Sequence, residues 1–524
     1  MSKRIINCCI EVFVERYLDV ESGEGIGDYI YKSLQLFTLD GEWQNDVTLP
    51  WQHEIARFLA PFVTIVTLIL AVLTGLHIQI KNKLALRWYK DHVVVCGIGI
   101  KGSIITQSLL ADGYSVIAIE SDASNSNITL CRKQGACVVI DSATKQQVLK
   151  SVRLSKAKAF FAVCDTTAKN IEIALIVQNL DGCSGLVAYI HASDTNLSGY
   201  LERYGRLREI RSTFDLRFFN IFESSARVLF NSFPVERYTA LFDVSRPHLV
   251  IFGFKEMEQH IVLEAIRRCH YIDQKYLKIT IIATELDQYK NIFFSQYPQV
   301  HQVCDFTFID QPFGRYSVTS IQDDLIKLGE TDIPTGYFIC EQDPTLGVTE
   351  ALFLHEATQQ VVKRNAPIFV YMPCYSGLLK LLESNCGEPE VPDNIFSFGQ
   401  LETVLSLDAL MDDVLDDVGK TLHQGYLDIR KESSDFGTKP ADVKWEHLPS
   451  HFKSANRQAG DHVSVKLNSL NSSFSLDKKR ARVKYNSEDI EKLAEAEHRR
   501  WMSNYYVNGW VYGAVRSEVG KVHP

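Results

Sequence analysis

Residues 91–122 have the sequence DHVVVCGIGIKGSIITQSLLADGYSVIAIESD, which predicts a strand, a tight loop, a helix and a second strand. HVVVCG is a short β-branched run, typical of a strand that is buried on both faces. KGSIITQSLLADG has apolar residues at helical spacing and ends in Gly113, a residue that commonly stops a helix. The unit therefore predicts an α/β fold built on a parallel sheet.

The loop between the first strand and the helix contains glycines at the spacing G-x-G-x-x-G, at Gly97, Gly99 and Gly102. The first glycine allows a tight turn, the second lets the backbone approach a pyrophosphate, and the third lets the helix pack closely on the strand. The first turn of the helix adds N–H groups and a positive dipole. We therefore expect Gly97, Ile98, Gly99, Lys101 and Gly102 to bind a nucleotide.

Glu120 ends the next predicted strand and supplies the carboxylate that such a site uses to bind the ribose hydroxyls. A carboxylate at this place would repel the extra phosphate of NADP, so the expected ligand is NAD(H), with ATP and ADP as alternatives. Strand, helix and acidic residue all fall at the required places, which makes the signal more specific than a glycine pattern alone. The alternative is a fold that has kept the loop and lost the ligand.

The alternation of strands and helices continues and is then repeated. Further strands are predicted at CVVID (137–141), AFFAVCD (159–165) and GLVAYIH (185–191), and a second series at HLVIFGF (248–254), KITIIATE (278–285), FTFID (306–310), GYFICE (336–341) and PIFVYM (367–372). The stretches FFAVCDTTAKNIEIAL and YFICEQDPTLGVTEAL are alike, which indicates a duplication. We predict two tandem Rossmann-like, doubly wound parallel sheets, a first lobe at 90–212 and a second lobe at 246–430.

The second lobe keeps only part of the loop motif. Gly253 remains, but Lys255 and Met257 stand where further glycines would be wanted. Glu256 and Glu258 would oppose a phosphate at the start of the helix. We predict that this lobe packs against its neighbours and binds no dinucleotide.

Three segments lie between or after the lobes. A crossover helix is predicted at 213–245, from the amphipathic stretch FDLRFFNIFESSARVLFNSF. Residues 431–486 are polar and predict a linker with a segment that precedes the C-terminal unit. A helix is expected to begin at Ser487 in the unit 487–524, without a capping box because Ile490 lies three positions further on.

The most apolar stretch of the chain runs from Phe58 to Ile80 and contains no Asp, Glu, Lys or Arg. At ~1.5 Å per residue it would reach ~34 Å, against ~30 Å for the core of a bilayer. The alternative is a buried core helix. We predict one transmembrane helix at 54–82, in contact with lipid, and an extracytoplasmic segment at 1–53.

Basic residues crowd the C-terminal flank of this stretch, which places the bulk of the chain in the cytoplasm. We therefore expect a single-pass protein of the inner (cytoplasmic) membrane. The net charge is −9 and the pI about 6.0, which argues against nucleic acid as a partner. The 12 cysteines are scattered without zinc spacing, so no metal is predicted. We found no catalytic constellation and expect no enzyme activity.

The stretch 91–175 resembles the TrkA N-terminal family, also called RCK (regulator of potassium conductance). Besides the glycine loop and Glu120, the resemblance depends on DSAT (141–144) and CDTTAKN (164–170). It implies that Asp141, Thr144, Asp165 and Asn170 surround the nucleotide. Members of this family regulate ion channels and transporters by binding NAD(H), other nucleotides or ions. They assemble as dimers or larger rings, so a homo-oligomer, dimer or tetramer, is expected.

The C-terminal stretch LAEAEHRRWMSNYYVNGWVYGAVRSEVGKVHP is similar to the ryanodine receptor (RyR) domain. Bacterial repeats of this type are suspected of binding small nucleotide-like ligands, which here implies His498, Trp501, Trp510 and Tyr512. The chain stops where the repeat would run on, so a partial domain at 487–524 is expected. The structural alternative is a helical packing unit with Trp501 and Trp510 in its core.

Three classes of function stay open at this point. The first is a nucleotide-sensing regulator of potassium or other ion transport, or a ligand-gated channel subunit, although FTLDGEW (37–43) does not have the carbonyl-ring sequence of a potassium filter. The second is a signalling protein that binds a nucleotide second messenger through the C-terminal unit. The third is a membrane-bound NAD-dependent oxidoreductase.

Overall fold

The structure is a computed structural model. It describes residues 58–59, 61–70, 72, 89–183, 185–193, 215–270, 276–311, 332–341, 343–361, 365–374, 393–411, 414–468, 470, 484–517 and 520–523. The chain divides into two compact units, Met1–Trp88 and Tyr89–Pro524.

In the first unit, the described residues 61–70 are helical, and the Thr67 hydroxyl donates a hydrogen bond to the Val63 carbonyl oxygen at 2.7 Å. Within the described part of the chain no helix is long and apolar enough to cross a membrane. Much of the span predicted at 54–82 lies outside the described residues. The extracytoplasmic segment predicted at 1–53 lies wholly outside them.

The first lobe contains a six-stranded sheet in the order β3-β2-β1-β4-β5-β6. Its strands are β1 (His92–Cys96), β2 (Val116–Glu120), β3 (Cys137–Ile140), β4 (Ala157–Ala162), β5 (Val187–His191) and β6 (Asp215–Phe219). All neighbours are parallel. The three valines of β1 and the apolar residues of β2 are fully buried, as expected of central strands covered by helices on both faces.

The second lobe repeats this topology, with its strands in the order β9-β8-β7-β10-β11-β12. They are β7 (His248–Phe252), β8 (Leu277–Ala283), β9 (Cys304–Asp310), β10 (Gly336–Ile339), β11 (Ile368–Tyr371) and β12 (Ile395–Phe398). These pairs are also parallel. The prediction of two tandem parallel-sheet α/β lobes is confirmed.

The helices cover the sheets and form the C-terminal part of the chain. They are α1 (Ile100–Ala111), α2 (Asn127–Gln134), α3 (Gln146–Ser151), α4 (Thr167–Gln178), α5 (Ile221–Ser232), α6 (Val235–Leu241), α7 (Glu256–Arg268), α8 (Leu286–Gln296), α9 (Pro344–Val361), α10 (Leu401–Val404), α11 (Leu407–Leu410), α12 (Asp417–Arg430), α13 (Ser450–Asp461), α14 (Val463–Asn468) and α15 (Ser487–Val507).

The segment 213–245 is not a single crossover helix. Its first described part is strand β6, and α5 begins only at Ile221. Asn220 separates the two because its Oδ1 accepts hydrogen bonds from the Phe222 and Glu223 N–H groups, which caps the helix. The sixth strand of the second lobe, β12, was missed as well. Both strands lie at an edge of their sheet, where only tertiary pairing distinguishes a short apolar run from a helix.

The segment 431–486 is only in part a linker. Its described residues include α13 and α14, which the low apolar content concealed. Asp461 of α13 takes part in buried ion pairs, and Val465 of α14 lies in the apolar core with residues of β7 and β8. The Arg227 guanidinium of α5 lies 3.0 Å from Asp461 Oδ2 and 3.2 Å from Asp416 Oδ1, and it also donates to the Leu415 carbonyl.

The same carboxylates bind two more arginines. Arg268 Nη2 lies 3.3 Å from Asp461 Oδ2, and Arg457 Nε lies 2.6 Å from Asp416 Oδ2. The charges of Asp461 and Asp416 raise the pKa of Arg227 despite its burial. This network joins α5, which follows the first lobe, to the helices that follow the second lobe.

Helix α15 begins at Ser487, as predicted, but its cap lies one residue earlier than expected. The N-cap is Asn486, whose side chain accepts a hydrogen bond from the Asp489 N–H at 2.8 Å. The Asp489 carboxylate accepts a hydrogen bond from the Asn486 N–H at 3.1 Å, which completes a capping box. The expectation that no capping box exists was therefore wrong, because it placed the cap at Ser487.

We expect Arg227→Met to destabilise the fold by about 3–5 kcal/mol, because it leaves the buried carboxylates of Asp416 and Asp461 short of a counter-ion. Thermal unfolding of the purified chain, with limited proteolysis of 414–468, is the measurement. Lys431→Met is the control, since its ion pair with Asp428 is exposed and should contribute little. Equal melting of the two variants would contradict a structural role for the network.

Candidate functional site

The first lobe brings its predicted site residues to one edge of the sheet. Strands β1, β2, β3 and β4 all end there, followed by Gly97, Ser121, Asp141 and Val163. The Asp141 N–H donates to the Glu120 carbonyl oxygen at 2.9 Å, which places the ends of β2 and β3 side by side. The order of the strands reverses between β1 and β4, and such a reversal opens a crevice where α/β proteins bind ligands.

Gly97 and Gly102 are at the closest contact between the loop and α1. Gly97 has φ +95°, and a Cβ on Gly102 would lie 1.9 Å from the Gly97 carbonyl oxygen. The Gly97 N–H donates to the Ile119 carbonyl oxygen at 2.8 Å, which ties the loop to β2. A side chain at position 102 would therefore push the helix away from the loop.

Gly99 is in a different environment. It is the N-cap residue of α1, and a Cβ built on it would meet no atom within 4 Å. Its φ of −65° is open to any residue, so no backbone strain requires glycine here. The open space lies at the N-terminus of a helix of three turns, where N–H groups and the helix dipole favour an anion.

Glu120 holds the loop in place. Its Oε2 accepts a hydrogen bond from the Ile98 N–H at 2.8 Å, and its Oε1 accepts one from the Asp122 N–H at 3.0 Å. The residue is 8 % exposed. In the structure, the carboxylate that was predicted to bind ribose holds the glycine loop through these two hydrogen bonds.

Asn125 and Asn127 complete this clamp, and sequence reasoning missed both. Their side-chain amides donate to the Ile98 carbonyl oxygen at 3.1 and 3.0 Å. Asn125 also donates to Glu120 Oε2 at 3.0 Å. Both polar groups of the Ile98 peptide are therefore held by side chains. The only signal in the sequence was a run of short polar residues after Glu120, SDASNSN, which predicts a turn.

Asp141 and Thr144 follow β3, and their side chains form hydrogen bonds with residues close to them in the sequence. Asp141 Oδ1 accepts hydrogen bonds from Lys145 Nζ at 2.8 Å and from the Ser142 N–H at 2.7 Å. The Lys145 contact holds the pKa of Asp141 below its usual value. Thr144 Oγ1 shares a hydrogen bond with Ser142 Oγ at 2.8 Å. These groups border the crevice beside Glu120.

Asp165 and Asn170 follow β4 but differ in exposure. The Asp165 side chain is 67 % exposed and pairs with Lys169 at 3.0 Å, a contact that lowers its pKa. Asn170 is fully buried, accepting a hydrogen bond from the Cys164 N–H and donating one to the His191 carbonyl oxygen. Because its amide is used by the backbone, Asn170 joins the ends of β4 and β5.

Lys101 supplies a cation to the crevice. Its Nζ lies 3.4 Å from His191 Nδ1 at the end of β5, and burial lowers the pKa of the lysine. Burial, together with the Lys101 charge, lowers the pKa of His191 to about 3. The imidazole is therefore neutral near pH 7 and can accept a hydrogen bond from the ammonium group.

At the C-terminus, Trp501 and Trp510 are joined through two other rings. Tyr505 lies 4.3 Å from Trp501 and 5.1 Å from Trp510, and His523 lies 4.9 and 6.3 Å from them, between ring centroids. We call these four residues the aromatic cluster. His498 stacks on Trp501 at 5.8 Å. Tyr512, in contrast, is 80 % exposed.

The sequence of the first lobe matches a known family over residues 93–206. That family is the TrkA-N domain. Two curated relatives come from Methanocaldococcus jannaschii. Potassium channel protein 1 is 25 % identical over 91 residues, which are 17 % of this chain and 27 % of the relative. Probable potassium channel protein 2 is 28 % identical over 105 residues, 20 % of this chain and 30 % of the relative. The chain therefore spans less than a third of the length of either relative.

Several solved structures are similar to the chain. The GsuK RCK domain has a TM-score of 0.41 at 12 % identity and covers 62 % of this chain and 78 % of its own. The GsuK channel bound to NAD has a TM-score of 0.39 at 12 % identity, covering 77 % and 81 %. GsuK bound to ADP has a TM-score of 0.38 at 14 % identity, covering 77 % and 94 %.

Among the residues that the structure describes, no group of three or more His, Cys, Asp or Glu side chains could hold a metal ion. The cysteines of the sheets, such as Cys96 and Cys304, are buried, and burial raises the pKa of their thiols well above the usual value. They therefore pack as small apolar groups.

We expect Gly102→Ala to destabilise the first lobe by about 1–3 kcal/mol, because the added methyl group overlaps the Gly97 carbonyl oxygen. Gly99→Ala should leave stability unchanged within about 0.5 kcal/mol, because its methyl group enters open space. Denaturant unfolding of both variants is the measurement. A larger loss for Gly99→Ala than for Gly102→Ala would overturn this description of the loop.

Proposed function

We propose that the chain is a nucleotide-sensing regulatory protein of the RCK type, whose first lobe binds NAD(H) at the glycine loop. The observation that carries the proposal is the open space above Gly99, at the N-terminus of α1, in a loop that is otherwise fully braced. A pyrophosphate bound there would accept hydrogen bonds from the N–H groups of the first turn of α1 and would lie near Lys101. Gly99, the helix N-terminus and Lys101 are the features that support this ligand.

The ribose side of the site favours NAD(H) over NADP. Glu120 lies at the end of β2, and each of its oxygens can accept more than one hydrogen bond. Oε2 already accepts hydrogen bonds from the Ile98 N–H and the Asn125 amide. A ribose hydroxyl would therefore bind at Oε1, beside the Asp122 N–H and in place of the 3.4 Å contact with the Ser121 hydroxyl, whereas a phosphate group would be repelled. ADP and ATP share the adenosine diphosphate half of NAD and are alternative ligands of the same site. Asp141 and Thr144 would border the ribose, and Asp165 would lie at the outer rim.

One comparison supports regulation over catalysis. The curated relatives are named as potassium channel proteins. The mechanism would be differential binding: the nucleotide stabilises one arrangement of the loop and of the helices packed on it. On this proposal the ligand is sensed and not consumed.

The proposal extends to the membrane and to assembly. The apolar stretch at 54–82 would anchor the protein in the inner membrane as a single pass, in contact with lipid. The cytoplasmic lobes would assemble as a homo-oligomer, a dimer or tetramer, and act as a channel subunit or on a potassium channel partner. The basic flank at 81–90 and the resemblance to the RCK family support these steps.

A second candidate function is favoured by the aromatic cluster. Its rings are half-buried, and the Arg516 guanidinium lies 5.9 Å from the centroid of the Trp510 ring. Clustered aromatic rings beside an arginine suit a flat base with a phosphate. The RyR-like unit at 487–524 would then bind a nucleotide second messenger, with His498 and Tyr512 at the edge of the site.

We expect calorimetric titration of the full-length chain in detergent to show saturable binding of NAD⁺ or NADH, with ADP and ATP as competitors. Gly99→Asp should abolish that binding, because it places a carboxylate in the pyrophosphate position. Gly425→Asp is the matched control: it adds the same charge at an exposed glycine of α12 with equally open space around it.

Three outcomes would contradict the proposal. Absence of binding by the wild-type chain would make the glycine loop a relic of the fold. Binding that survives Gly99→Asp but is lost in Trp510→Ala would favour the second candidate. Turnover of bound NAD(H), seen as a change at the nicotinamide absorbance band during a screen of substrates, would make the chain an oxidoreductase.

A further inference from the structure

The second lobe has the backbone of the first lobe's glycine loop with different side chains. Gly253 has φ +95°, the value of Gly97, and its N–H donates to the Ile282 carbonyl oxygen at 2.9 Å. Lys255 is the N-cap residue of α7, with φ −86° and ψ −160°, as Gly99 is of α1 with φ −65° and ψ −169°. Counting on from Gly253, Glu258 stands at the position of Gly102.

The Glu258 carboxyl group lies over the loop. A Cβ on Gly253 would be 2.3 Å from Glu258 Oε1, so the side chain folds back against the first glycine. Glu258 is only 3 % exposed. At this position the first lobe has Gly102, whose lack of a side chain lets the helix contact the loop closely. The second lobe has the buried carboxyl group of Glu258.

A second buried carboxyl group belongs to the same region. Glu350, in the helix that follows β10, is 4 % exposed, and its Oε2 is buried without a hydrogen-bond partner. Both groups are within electrostatic reach of Glu341, which follows β10. Cys340 and Tyr371, at the ends of β10 and β11, also face Glu258 and are uncharged because burial raises the pKa of each.

The charges around these groups favour the protonated forms. Burial, followed by the Glu341 charge, raises the pKa of Glu350 to about 8. Burial raises the pKa of Glu258 to about 7, with Glu341 acting in the same direction. Lys255 and backbone hydrogen bonds at Glu258 and Lys255 act in the opposite direction but are outweighed. In the described residues Glu258, Glu341 and Glu350 do not form a group that could hold a metal ion.

We propose that the second lobe binds protons beside its counterpart of the glycine loop: neutral Glu258 holds this loop closed, ionised Glu258 loosens it, and ionisation of Glu350 adds a second buried charge near Glu341. Loss of the protons puts two buried charges near Glu341, with the exposed Lys255 as the opposing charge at the loop, and this draws water into the contact between α7 and the sheet. This inference goes beyond nucleotide sensing and does not depend on it.

The direction of the pH dependence follows from the raised pKa values. The folded lobe binds more protons than the unfolded chain above the usual carboxyl pKa, 4.5 for Glu, so this stabilisation is complete below that value. It is lost as the pH rises through about 7 for Glu258 and about 8 for Glu350. Alkaline conditions therefore open the loop.

Hydrogen exchange of the full-length chain tests the proposal. After correction for the intrinsic exchange rate, amides of 254–262 should open more than about tenfold more readily at about pH 8.5 than at about pH 5.5. The corresponding amides of the first lobe, 98–106, serve as the internal control and should change little, because Gly102 has no carboxyl group. Equal behaviour of the two segments in the wild-type chain would overturn the proposal.

Variants identify the groups responsible. Glu258→Gln with Glu350→Gln mimics the protonated state and should remove the pH dependence of 254–262. Glu356→Gln is the matched control, an exposed glutamate in the same helix as Glu350, and should keep it. A double variant that folds and opens with the wild-type pH dependence would show that other groups are titrating. Nucleotide binding by the first lobe is read separately, so its failure does not affect this result.

Discussion

The contact between Gly102 and the carbonyl oxygen of Gly97 is the constraint on which the candidate site depends. Because a methyl group at position 102 would lie 1.9 Å from that oxygen, the helix can sit close to the loop only while the residue is glycine. The close seating turns the N-terminus of α1 towards the crevice and leaves open space above Gly99. Glu120, Asn125 and Asn127 then hold the Ile98 peptide. Rigid bracing of this kind reduces the entropy lost on binding.

The second lobe shows what happens when this constraint is relaxed within the same topology. With Glu258 in place of the third glycine, a carboxyl group is buried against the loop, and the helix start carries Lys255 in place of the open glycine. The buried arginine network then connects the two halves of the chain, since Arg227 of α5 meets Asp416 and Asp461 of the C-terminal helices. Because Arg268 of α7 also meets Asp461, one set of ion pairs ties α5 and α7 to the same C-terminal segment.

Much of the fold could be predicted because its signals are local. The β-branched runs, the glycine spacing and the two similar stretches, which run from β4 into α4 and from β10 into α9, indicated two parallel sheets. The edge strand at Asp215–Phe219 could not be separated from the helix that follows. Helix α13 was concealed because its sequence is mostly polar, while its burial depends on tertiary contacts such as the close approach of Gly460 to Gly419 of α12. At the site, Glu120 was found from its spacing. Asn125 and Asn127 were missed because their partner, the Ile98 carbonyl oxygen, lies more than twenty residues away along the chain.

The sequence by itself determined the α/β class, the position of the glycine loop and the loss of that motif in the second lobe, since strand burial and tight turns depend on neighbouring residues. Only the tertiary structure decided what the polar side chains do. Glu120 accepts a hydrogen bond from the Ile98 N–H and so holds the glycine loop. Asn170 joins the ends of β4 and β5 through hydrogen bonds with their backbone, and the Glu258 carboxyl group is buried. The physical reason is that hydrogen-bond partners and burial are set by segments that meet across a sheet, and these are far apart in the chain.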